Sequence, residues 1–140
     1  MMKYFDVGVR YDKTLENGIT KTATELYVVH AVSFAESEKI ITKAMQPFLS
    51  GDFEVVKESI TRIAEIVDQE DDTADRYYIV KYNLITIDER TAKEKKTAML
   101  HLVHAMDFDD AKKRAAEYMH GTMLDWEIEY VKETKYLDVY

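Results

Sequence analysis

Phe5, Val7, Val9 and Tyr11 alternate with polar or small residues, the two-residue period of a strand with one buried face. Asn17-Gly18 then marks a tight hairpin turn, because both residue types tolerate positive φ. The chain should return as a second strand from about Ile19 to Ala31. At Ser33 the period changes. Ser33-Phe34-Ala35-Glu36 is a capping-box pattern, in which each side chain can satisfy a free backbone N–H at a helix start. Phe34, Ser37, Ile41, Ala44, Met45 and Phe48 fall on one face of that helix. Pro47 should end it near Gln46. Phe53-Glu54-Val55 alternates again, and a further strand is expected over 60–67, where Ile60, Ile63 and Val67 also fit a helical period.

The same order recurs downstream. Tyr78, Val80, Tyr82 and Leu84 alternate, a turn lies around Asp88 to Lys93, and the return strand leads to Ala105. Setting Leu26 against Leu100, an offset of 74, gives seven identical pairs over the twenty positions to Met45 and Met119, including His30/His104 and Phe34/Phe108. Chance would give about one or two. Asp107-Phe108-Asp109-Asp110 is a looser helix start. Phe108, Ala111, Ala115, Tyr118, Met119 and Thr122 continue the helical face, and Gly121 suits the C′ position. The first strands align better at an offset of 73 (Val7 to Val80), so the second hairpin gains one residue. Trp126 to Tyr130 alternates, and Val131-Lys132-Glu133-Thr134 matches Val56-Lys57-Glu58-Ser59 at an offset of 75. Beyond these points the apolar phase changes in both copies, which suggests a bulge or turn and a last strand, 135–140 in the second copy.

This pattern predicts an α+β fold: a tandem duplication of a ββαβ(β) unit, with antiparallel sheet or sheets, two helices and a pseudo-twofold. Repeat 1 covers 3–67, repeat 2 covers 76–140, and an acidic linker covers 68–75 within one domain, 1–140. One copy of about 65 residues would bury only about 60% of its unfolded surface, so the copies should pack together, as six to eight strands carrying two helices. Any sheet edge left open would favour a homodimer.

Composition narrows the class. Hydrophobic residues make up 46% and charged residues 33%, as in folded, soluble chains. No apolar run reaches the roughly 18 residues of a membrane span, and the N-terminal residues lack a secretory pattern. The absence of cysteine excludes disulfides and thiolate metal sites, and a cytoplasmic location is expected. Net charge is −8, with −4 in residues 1–70 and −4 in 71–140. That field opposes a phosphate backbone, and the one dense basic stretch, Lys93 to Lys96, reads as a solvated hairpin end. Asp68 to Asp75 carries five carboxylates in eight residues, but its spacing and missing glycine do not match a calcium loop.

Several short runs carry a resemblance over nearly the whole chain. They are Val9-Arg10-Tyr11 with Thr14-Leu15-Glu16-Asn17-Gly18, then Pro47-Phe48-Leu49-Ser50-Gly51, Glu94-Lys95-Lys96-Thr97 and Gly121-Thr122-Met123. In combination the chain resembles domain-of-unknown-function family 4494, small single-domain proteins of gut bacteria and their phages. The resemblance implies no activity, cofactor or catalytic residue; it implies possible carriage on phage or mobile elements.

The residues offer few chemical constellations. His30 and His104 are repeat equivalents just before each helix start, and a pseudo-twofold could bring them together. Two histidines alone make a weak metal site, and the plainer expectation is a strand-end ring packed against its surroundings. His101 and His104, three apart on a strand, should face opposite ways. No phosphate loop, nucleophile elbow or cysteine is present, so no catalytic residue, metal or cofactor is assigned, and an enzyme is disfavoured. The binding candidates are His30, His104, Tyr78, Tyr82, Trp126 and Tyr130, aromatic rings with polar tips being suited to interfaces. Tyr77 and Tyr78 should face opposite sides, one of them less buried. The reading is a non-catalytic interaction module with a protein partner or a second copy of itself. The alternatives are a small-ligand, nucleotide-like sequestering protein and, less favoured, an accessory protein for single-stranded nucleic acid. No membrane association is expected.

Overall fold

The computed structural model describes residues 1–70 and 72–140. Asp71, one of the five linker carboxylates, lies outside the described residues. The elements are β1 (Lys3–Thr14), β2 (Thr20–Ala31), α1 (Phe34–Met45), β3 (Phe53–Ile60), β4 (Ile63–Val67), β5 (Arg76–Ile87), β6 (Glu94–Ala105), α2 (Phe108–His120), β7 (Trp126–Glu133) and β8 (Tyr136–Val139). The fold is α+β, with two helices and two four-stranded sheets. The segment 60–67, open between strand and helix in the sequence, contains strand β4.

The chain forms two compact units, and their bounds differ from those of the sequence repeats. One holds 1–61 and 135–140, the other 62–134. The first sheet has the order β3-β1-β2-β8, the second β4-β6-β5-β7. Each repeat therefore gives its last strand to the sheet built by the other. These fourth strands run parallel to their neighbours, Ile66 opposite Leu102 and Val139 opposite Val28, whereas all other pairings are antiparallel. A strand that enters from elsewhere in the chain, without a hairpin turn, is free to take the parallel direction.

In the first unit, β1 and β2 pair along their whole length, from Lys3–Ala31 to Thr14–Thr20. The turn closes where Leu15 N–H donates to Ile19 O at 2.9 Å, with Gly18 at φ +82°. In the second unit the turn closes at Asp88–Lys93, so the loop is one residue longer, as the offset change predicts. Ala92 takes φ +56° there, and Asp88 Oδ1 accepts from Arg90 N–H at 2.8 Å.

Both helices start as the sequence indicates. Ser33 Oγ accepts from Glu36 N–H at 3.1 Å, and Asp107 Oδ1 from Asp110 N–H at 2.8 Å. The Asp110 carboxylate also accepts from Met106 N–H at 2.9 Å. Gly121 does not adopt the left-handed C′ conformation. Its φ is −76°, and Thr122 closes the helix by donating from N–H and Oγ to Met119 O.

The edge strands β3 and β7 each contain a bulge at the same place. Gly8 pairs with Lys57 and Val9 with Val55, leaving Val56 over; Lys81 pairs with Tyr130 and Tyr82 with Ile128, leaving Glu129 over. Thr61 donates from N–H and Oγ to Tyr4 O, as Thr134 does to Tyr77 O. These partners fix an offset of 73 throughout β3 and β7. The 75-residue match of Val56–Ser59 with Val131–Thr134 is thus a likeness of letters, two residues out of structural register. The backbone hydrogen bonds and the bulge set the register, and on this edge strand the side chains between them vary.

Each helix covers one sheet face. The first core contains Phe5, Val7, Val9, Tyr27, Val29, Ala31, Ile41 and Met45. The second contains Tyr78, Val80, Tyr82, Val103, Ala105, Ala111, Ala115 and Met119. Volumes trade between equivalent positions: Val9 and Ile41 in one core stand where Tyr82 and Ala115 stand in the other. Close packing requires such compensation. Of the expected helical faces, Phe34, Phe48, Phe108 and Tyr118 remain exposed. Val28 and Leu102, pointing away from the helices, are also fully buried.

Candidate functional site

The sequence candidates separate into three environments. His30 belongs to the first unit, where its ring stacks on Tyr4 across the β1–β2 ladder, with centroids 4.4 Å apart and planes at 15°. His104 belongs to the second unit and stacks on Tyr77 at 4.3 Å and 6°. His104 Nδ1 lies 3.2 Å from Asp68 Oδ1, an ion pair when the ring is protonated. Tyr77 and Tyr78 are both buried, contrary to the expectation that one would be less so, whereas Tyr4 in the equivalent stack is half-buried. Tyr78 faces the helix, and Tyr77 is covered by a histidine on the opposite face.

Tyr82 and Trp126 belong to a packed aromatic group on the helix side of the second sheet. Their rings meet edge-on at 6.2 Å. His101 contacts the Tyr82 ring at 4.8 Å and the Tyr118 ring at 5.1 Å, and its Nδ1 lies 3.1 Å from the Tyr82 hydroxyl. His120 meets Trp126 at 5.4 Å. His101 and His104 do face opposite sides of β6. Burial pushes the Tyr82 phenol above its ordinary range and holds the His101 imidazole below its own, so both stay neutral at pH 7. Tyr130 lies apart, exposed on β7, with the Lys81 ammonium 5.8 Å above its ring and Glu129 pairing that ammonium at 2.8 Å.

Two carboxylates escaped the sequence reading. Asp6 lies on the first sheet's face away from α1, where Oδ2 accepts from Lys57 at 3.2 Å and from the Tyr136 hydroxyl at 3.0 Å. Glu25 accepts from Tyr11 at 2.5 Å and Tyr27 at 2.8 Å. Burial raises the Tyr27 and Tyr136 phenols, and the Glu25 hydrogen bond raises Tyr11. Asp6 Oδ2 and Glu25 Oε1 each accept from a side chain on a neighbouring strand, which helps hold the strands together, whereas the buried Asp6 Oδ1 accepts no bond among the described residues. One signal was available: Leu26-Tyr27-Val28-Val29 is a continuous apolar run, typical of a strand buried on both faces.

Concave surface is modest. A depression of about 300 Å³ is lined by Arg10, Tyr11, Thr22, Asp52 and Phe53, with Glu54 paired to Arg10. Another, of about 260 Å³, lies by Asp68, Arg114, Glu117 and Tyr118. Both are at or below the lower end of ligand pockets, about 300–1,000 Å³, whereas two open depressions, of about 450 Å³ along Glu38, Lys39 and Lys43 of α1 and about 390 Å³ by Lys13, Phe48 and Asp52, fall within that range. Among the described residues, no group of three or more histidines and carboxylates is placed to hold a metal ion. No described helix is long and apolar enough to cross a membrane.

The exposed sheet edges offer more. In an antiparallel ladder, alternate residues turn their N–H and C=O groups outward. On β2 these are the even-numbered positions, since His30 N–H donates to Tyr140 O and Val28 O accepts from Tyr140 N–H. Strand β8 pairs only with Leu26 and Val28, so Thr20, Thr22 and Thr24 are exposed with no strand alongside among the described residues. On β6 the corresponding positions are Glu94, Lys96 and Ala98, since β4 begins pairing at Leu100.

The model for Domain of unknown function (DUF4494) matches residues 3–140. The chain belongs to this family. The match covers essentially the whole of both units, and the family description names no activity. No curated protein and no solved structure matches the chain.

Proposed function

We propose that this DUF4494 protein is a non-catalytic interaction module that associates with a second copy of itself. One contrast carries the reading. Tyr78, Tyr82, His101 and the two stacked histidines are engaged in packing, whereas each central hairpin leaves a stretch of exposed strand edge. Open edges are sites for another chain unless they are blocked. The apolar pairs Val32/Phe34 and Met106/Phe108, exposed beside each helix start, add surface suited to contact. Val32 and Met106 stay exposed because the staple position four residues into each helix holds Ser37 or Ala111, too small to hold the apolar residue before the cap.

The shared bulge, the shared threonine bonds and the exchanged last strands support descent by tandem duplication. A cytoplasmic setting and carriage by gut bacteria or their phages accord with the cysteine-free composition and the family resemblance. Sedimentation equilibrium of the purified chain over a wide concentration range tests the reading. A monomer–dimer equilibrium is expected; a strict monomer throughout would overturn self-association.

A further inference from the structure

We infer that the second copy docks on the open edge of β2, pairing Thr20 to Thr24 antiparallel with the same segment of its partner. This rests on the self-association reading and names its surface. The outward positions are Thr20, Thr22 and Thr24, and a twofold centred on Thr22 brings all three into hydrogen-bonded pairs. Thr22 then faces the partner's Thr22, and Thr20 faces the partner's Thr24. Threonine pairs are favourable across antiparallel strands. The intervening side chains also fit. Lys21 comes opposite the partner's Ala23, with the partner's Glu25 on one diagonal and the partner's Lys21 on the other.

Within one copy, Lys21 faces Lys13 directly across the hairpin, a like-charge pair that an incoming carboxylate offsets. In its own copy Glu25 accepts hydrogen bonds from Tyr11 and Tyr27. A closed twofold explains a finite dimer, where unlike edges would chain into fibres.

The equivalent edge of β6 is blocked by its own residues. A twofold there, centred on Lys96, would set Lys96, which pairs with Glu127 of its own copy at 2.9 Å, against the partner's Lys96, with Lys95 beside it and Glu94 at the end. Lysines on an edge are a recognised defence against pairing. The two hairpins share one backbone plan, so threonines on one and lysines on the other select the competent edge.

Sedimentation velocity on the full chain tests this with Thr22→Pro, Thr22→Lys and Lys96→Pro. Proline at Thr22 removes an outward N–H and leaves the backbone bonds to β1 in place, although either substitution also gives up the bond from the Thr22 hydroxyl to Asp12. Lysine at Thr22 copies the β6 edge and is the deciding variant if the proline form does not fold. Both Thr22 variants should weaken the dimer by about tenfold or more, from two lost backbone bonds or an opposed lysine pair. Lys96→Pro should sediment as the unaltered chain does. Unchanged dimers in both folded Thr22 variants, or equal loss with Lys96→Pro, would overturn the β2 edge alone. A monomeric unaltered chain would overturn the edge and self-association together.

Discussion

Replacing His101 with glutamine should remove a pH dependence from the second unit. His101 is 2% exposed, lies 3.1 Å from the Tyr82 hydroxyl, and packs edge-on to Tyr82 and Tyr118. Burial lowers its pKa, with Glu65 opposing. As pH falls, the unfolded chain therefore takes up the imidazole proton first, near the ordinary value of about 6.5. Stability from the neutral ring is complete above that pH and is lost as pH falls towards the folded titration point. The slope can reach about 1.4 kcal/mol per pH unit within that window. Glutamine keeps a polar atom near the Tyr82 hydroxyl but has no proton to take up. At pH 8 the variant should be less stable by about 1 kcal/mol, from the lost ring contacts. The deficit should shrink steadily below pH 6.5. Urea unfolding followed by the fluorescence of Trp126, which packs in this unit, reads the difference at each pH. A constant difference between the two proteins from pH 8 to pH 5 would refute a buried neutral His101.

Three further outcomes follow from the packing. Gly8→Ala should destabilise the first unit by about 1–3 kcal/mol in denaturant unfolding. The added carbon would lie 3.2 Å from the Lys57 Cβ at the bulge, whereas Gly51→Ala meets open space and should be near neutral. Ser33→Ala and Asp107→Ala should each cost about 1 kcal/mol in thermal or urea unfolding, since each removes an N-cap acceptor. Tyr27, Tyr82 and Tyr136 are raised above the ordinary phenol range of about 10, so the folded chain keeps protons that the unfolded chain releases. Stability should be full below pH 10 and fall above it. Phenolate absorbance from these three should appear only together with loss of circular dichroism.

Most elements could be read from the sequence because their signals are local. Asn17-Gly18 marks its turn through backbone tolerance, Ser33 and Asp107 mark helix starts through side-chain acceptors, and Phe5, Val7 and Val9 mark a buried face through alternation. The destination of β4 and β8 could not be read. Each is four or five residues long, and nothing within Ile63–Val67 or Tyr136–Val139 says which sheet edge it joins. The candidate site was legible only in part. Tyr82 and Trp126 stand out in the sequence as aromatics suited to an interface, but period alone does not distinguish a ring facing solvent from one facing a helix. That His104 lies opposite Tyr77 and stacks on it is a cross-strand relation set by the turn length. Thr20, Thr22 and Thr24 match no motif in the sequence. Their interest comes from β8 stopping short of them.

Amide hydrogen exchange as a function of protein concentration addresses the proposed function most directly. With pairing through β2, the N–H groups of Thr20, Thr22 and Thr24 become protected as concentration rises, while those of Glu94, Lys96 and Ala98 continue to exchange freely. Rates at the three threonines that do not change between dilute and concentrated protein would contradict an interaction module built on that edge.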